Sequence, residues 1–169
     1  MSLRRLPAGL LPLLLLLVCA GARAQEHKQS EEMHGRDALR GLEAVRLRVE
    51  TVPEQGAPGV TAALVERGAA ERLRAAGLRV LTGEEAKGAP VLFYRVTLIT
   101  SNCGYMGTAD MQLREAVRVS RAPGAEATAA TWQHVARIHF DPPNTPLLVE
   151  KLASLVDVFT KEHGAANGR

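Results

Sequence analysis

From Glu43 to Val52 the chain alternates, with Val45, Leu47 and Val49 on one side and Arg46, Arg48 and Glu50 on the other. A period of two is that of a half-buried strand. "PEQGAPG" ends the run with two prolines and two glycines. The period then lengthens: in "VTAALVERGAAERLRAAG", Leu64, Val65, Gly68, Ala69, Arg72, Leu73 and Ala76 recur near one helical face. Gly77 stands where a helix C-terminus is capped. "LRVLT" reads as a short strand and "GEEAKGAP" as a loop. "VLFYRVTLIT" is a long strand, apolar on nearly both faces, which predicts a central place in a sheet.

Two more alternating runs follow. Met111, Leu113, Val117 and Val119 oppose Gln112, Arg114 and Arg118; Trp132, Ala136, Ile138 and Phe140 oppose Gln133, Arg137 and His139. "RAPGAEA" between them carries the Pro-Gly of a tight turn. Thr145 and Pro146 then open a helix whose stripe is Leu148, Leu152, Leu155, Val156 and Phe159, with Gly164 expected to end it. The predicted order is β-α-β-β-β-β-α. Two amphipathic helices must bury their stripes on one sheet. The fold class expected is α+β: a two-layer sandwich in which a mostly antiparallel five-stranded sheet carries two helices on one face.

The N-terminus changes what the composition means. Arg4 and Arg5 precede the apolar run "LLPLLLLLVCA", and "GARA" supplies the A-x-A pattern of a signal peptidase site. Residues 1–24 are therefore expected to be a cleaved signal peptide, residues 25–38 a polar flexible tail, 39–163 one α+β domain and 164–169 a C-terminal tail. The apolar run is about half of the roughly 20 residues a spanning helix needs, and no later segment is apolar enough. A lipid on Cys19 ranks second, because Val18 stands where that peptidase prefers a small residue. Cleavage would remove Arg4, Arg5 and Arg23 from 21 basic residues, leaving 18 against 18 acidic ones. A neutral chain gives no warrant for nucleic-acid binding. The expected location is periplasmic or extracellular.

Export would leave one cysteine, Cys103, so no internal disulfide is available. Its setting, "SNCGYMGTAD", lies between two strand patterns, and Asn102, Gly104 and Gly107 tolerate the positive φ that a hairpin loop needs. The turn reading outranks catalysis, which would need a base from His134, His139 or His163. Cys103, Met106 and Met111 are sulfur ligands of the kind that select Cu(I), although Met111 shares parity with core residues. Cleavage would also expose Gln25, Glu26 and His27, whose amine, amides and imidazole can form a square-planar site for Cu(II) or Ni(II).

Strand parity singles out one further feature. Arg46, Arg48, Arg95, Arg114, Arg118 and Arg137 fall on the sheet face away from the helices, against only Glu50 and Asp110. Val91, Phe93 and Ile99 share parity with Arg95, so the arginines are expected to surround an apolar centre. Trp132 and His134 fall on the inner parity, with core packing the default.

The runs "LRAAGLRVLTGEEAKGAPVLFYRVTL", "TADMQLREAVRVSRAP", "ATW" and "LASLVDVFTKEHGAAN" resemble a group of small, exported bacterial proteins with no assigned activity. Members of that group tend to be tyrosine-rich at the hairpin, where this chain has "NCGYMG". In element order the chain also resembles small α/β modules of envelope-assembly proteins. Together these readings point to a non-catalytic module, without cofactor, that binds an envelope protein or an anionic glycan through the arginine face. The alternative is a copper- or nickel-handling protein, or an enzyme built on Cys103 and nearby histidines. Paired carboxylates, a phosphate-binding glycine loop and a serine elbow are all missing from the sequence.

Overall fold

The computed structural model describes residues 35–53, 59–101, 104–140 and 144–169. The signal-peptide reading, Gln25–His27 and Cys103 lie outside the described residues. The elements are β1 (Ala44–Pro53), α1 (Ala62–Ala75), β2 (Arg79–Val80), a 3-10 turn (Gly83–Ala86), β3 (Val91–Ser101), β4 (Gly104–Arg118), β5 (Glu126–Phe140), α2 (Thr145–Ser154) and α3 (Val156–Ala166).

The five strands lie in the order β2-β1-β3-β4-β5. β3, the strand apolar on both faces, is central as expected. The sheet, however, is mixed rather than mostly antiparallel: β1 runs parallel to both β2 and β3, and the antiparallel pairs are β3–β4 and β4–β5. The reason lies in the connections. α1 carries the chain back from the end of β1 to its start, so β2 enters in the same direction as β1. Residues 81–90 then pass to the other side of β1, and β3 too runs parallel to it. Hydrophobic period records which face a residue takes and is blind to strand direction.

The helices cover one face. Val65, Ala69 and Leu73 of α1, Leu148 and Leu152 of α2, and Val156 and Phe159 of α3 form one buried cluster with Val45, Leu47, Leu92, Tyr94, Val96, Met111, Leu113 and Trp132 of the sheet. Helix starts are fixed locally: Thr61 Oγ1 accepts from the Leu64 amide, and Asn144 Oδ1 accepts from the Leu147 amide. The second cap is thus one residue earlier than the sequence pattern places it. The final helix is also divided at Leu155, and α3 continues past Gly164 to Ala166. α1 approaches α2 closely, since a Cβ on Gly68 would lie 2.8 Å from that of Ala153.

Residues 164–169, expected as a tail, are held to the start of the domain. Asn167 Oδ1 accepts from the Gly41 amide at 2.8 Å, and its Nδ2 donates to the Leu39 carbonyl at 3.0 Å. One turn earlier the buried His163 donates from Nε2 to the Leu42 carbonyl at 2.7 Å. Among the described residues no helix is long and apolar enough to cross a membrane.

Candidate functional site

The sheet face opposite the helices is a grid whose rows the register defines. One row runs Arg46, Val91, Arg114, Ala130; the next, Arg48, Phe93, Gln112, Gln133; a third, Glu50, Arg95, Asp110, Val135. Thr97, Thr108 and Arg137 follow, then Ile99, Met106 and His139. All six arginines picked out by parity occupy this face.

Its centre is Phe93. Although it points away from the core cluster, it is only 3% exposed. Three guanidinium groups enclose its ring: Arg114 at 3.9 Å from the centroid, Arg95 at 5.2 Å and Arg48 at 5.9 Å. Each such contact is worth about 0.5–1 kcal/mol at an exposed site. The guanidinium groups themselves cover the ring, Arg48 and Arg95 remaining exposed on their outer side and Arg114 half-buried.

A polar network holds these heads in place. Glu50 accepts from Arg48 at 2.8 Å and from Arg95 at 3.3 Å. Arg114 donates twice to Gln112 Oε1, Gln112 donates to Asp110, and Gln133 donates to the other oxygen of Asp110. Thus Arg48, Arg95 and Arg114 are oriented by Glu50, Asp110 and two glutamines. Arg46, Arg118 and Arg137 form no ion pair among the described residues.

Parity alone misplaces one neighbour of this face. The β4–β5 register slips at Leu113/Arg114, leaving Thr131 as the extra residue of a bulge in β5. Beyond it the faces of β5 exchange, which sets Glu126 opposite Arg118 as a third acidic residue on the face. No signal in "ATAATW" announces this. The bulged Thr131 hydroxyl hydrogen-bonds with Glu115 and lies within reach of the Leu113 carbonyl.

The residues considered for chemistry are dispersed. His139 faces outward opposite Met106, while His134 lies on the inner face opposite the buried Met111 and stacks near Trp132. His163 is bonded to Leu42 and stacked on Phe159. Trp132 packs edge-on to Phe159 and donates to Glu162 at 2.7 Å, the core role expected of it. Gly104 and Gly107 belong to β4 rather than to a loop. Gly104 has φ 135°, and a Cβ on Gly107 would fall 1.9 Å from the Thr97 carbonyl oxygen. No group of three or more metal-ligating side chains gathers among the described residues. Burial pushes the Tyr94 phenol well above its ordinary range, and its hydroxyl donates to the Leu152 carbonyl at 2.7 Å.

No protein-family model matches the chain, and no curated protein does. Among solved structures it is similar to a dodecamer of a leucine-to-methionine variant of PelC from Paraburkholderia phytofirmans. The identity is 18%, over 69% of this chain and 86% of that one, with a TM-score of 0.43. At that TM-score the likeness bears on neither fold nor function, which rest on the geometry above.

Proposed function

We propose that this protein is a non-catalytic, exported envelope module that binds an anionic protein or glycan through the arginine-bearing sheet face, and that it belongs with the small exported proteins it resembles. The observation that carries the reading is the charge of that face. Six arginines share it with Glu50, Asp110 and Glu126. Guanidinium groups present several donors in a planar fork that suits carboxylate, sulfate or phosphate. Phe93 and the glutamine network hold three of them on a rigid sheet, so little side-chain freedom remains to be lost on binding. Arg46 lies one row from Phe93, Arg137 two rows and Arg118 three rows away, each with donors uncommitted to any acid among the described residues.

The test is binding of a polyuronate and of a polyglutamate peptide at low and at physiological ionic strength. Binding of at least one should weaken with salt, because exposed charges are screened beyond about 8 Å at 0.15 M. Reversing Arg46 and Arg118 together to Glu should reduce binding at least tenfold. Stability should change by less than about 1 kcal/mol, since neither residue is paired or buried. Binding that ignores both salt and the double reversal rejects the reading.

A further inference from the structure

β5 ends the sheet, and among the described residues no strand pairs with its far edge. It is 15 residues long. Its only Asp, Glu, Lys or Arg residues are Glu126 at one end and Arg137 near the other. β1, whose outer edge β2 covers only at Ala44 and Val45, instead carries Arg46, Arg48 and Glu50 along the uncovered part. Solitary edges are usually short, charged or interrupted, because a bare row of amides and carbonyls recruits another strand. β5 is long and charged only at its ends, and its one interruption among the described residues is the bulge at Thr131.

Its bulge restricts how it can pair with itself. The residues facing away from the helices are Glu126, Thr128 and Ala130 before Thr131, and Gln133, Val135, Arg137 and His139 after it. In an antiparallel pair each residue must oppose one on the same face. Two β5 strands crossing at the bulge satisfy this in the register that sets Glu126 opposite Arg137 of the second copy. Thr128 then meets Val135 and Ala130 meets Gln133. On the helix side Ala127 meets Ala136 and Ala129 meets His134. Two-fold symmetry forms each pair twice, so both charged ends are complemented. Val135, 55% exposed in the single chain, gains a cross-strand neighbour.

We propose that β5 pairs antiparallel with β5 of a second copy of this chain in this register. The two sheets join into one, with all helices on one side and both arginine faces on the other.

Sedimentation velocity under reducing conditions tests the proposal without reference to any anionic partner. The protein should sediment as a dimer. Glu126→Arg and Arg137→Glu should each raise the dissociation constant roughly tenfold or more, since each replaces two attractive pairs by repulsive ones. The double exchange should restore the dimer. As an independent measurement, Thr128→Cys with Val135→Cys, in a Cys103→Ser background, should form an interchain disulfide on oxidation. Opposed Cα atoms lie about 4.5–5.5 Å apart, within disulfide reach. The same two positions within one strand are about 23 Å apart and cannot join. A monomer at every concentration, a larger closed assembly, or failure of both the double exchange and the crosslink would overturn the proposal.

Discussion

Removing the Phe93 ring tests whether the arginines form a lid or merely a wet surface. The residue lies on the outer sheet face yet is 3% exposed, so nearly all of its side chain leaves water on folding. A phenylalanine buries about 150–250 Å², which at about 25 cal/mol per Å² sets an upper range of roughly 4–6 kcal/mol. Truncating a core phenylalanine costs about 3–5 kcal/mol. Here the cover includes the flexible side chains of Arg48, Arg95 and Arg114, which can fold into the vacated space, so Phe93→Ala should cost about 3 kcal/mol. Urea unfolding followed by far-UV circular dichroism measures this directly. The thermal midpoint should fall by roughly 10 °C for a domain of this size. Arg114→Met keeps the stem and removes the charge, so it should cost only about 1 kcal/mol. If Phe93→Ala costs less than about 1 kcal/mol at unchanged denaturant slope, the ring is not sealed and the lid argument fails.

Two further outcomes test the interior. Gly107→Ala should cost about 3 kcal/mol or more by urea unfolding, because the added carbon would strike the Thr97 carbonyl across the β3–β4 ladder rather than a movable side chain; a loss below about 1 kcal/mol would show that the strands separate easily there. The raised Tyr94 phenol means that the fold favours its neutral form. Its contribution is therefore complete below the unfolded value, near pH 10, and declines as pH rises above it. Tyr94→Phe should lose about 1 kcal/mol at neutral pH with the bond to Leu152, and its stability should fall less steeply than the parent's above about pH 10. Identical pH profiles would refute the assignment.

The amino-acid sequence by itself determined which residues are buried on β1, β3 and the first half of β4, because side-chain alternation along a strand is a local property of the pleat. It likewise placed the six arginines on one face, the central position of β3, and the core roles of Met111 and Trp132. Other features belonged to the tertiary structure alone. Strand direction followed from the path of α1 and of residues 81–90, and neither leaves a mark on hydrophobic period. Gly107 reads as turn chemistry in sequence, yet it is needed where two backbones crowd within a sheet. The bulge at Thr131 moved Glu126 beside Arg118, a relation between two strands that exists only once their register is set. Phe93 is buried by residues two to forty-five positions away in sequence, Arg95 and Arg48 at the extremes, so its enclosure arises when the sheet aligns three guanidinium groups over one ring. A sequence records each side chain's preference for one face; which neighbours share that face depends on pairing between strands, and pairing is a long-range property.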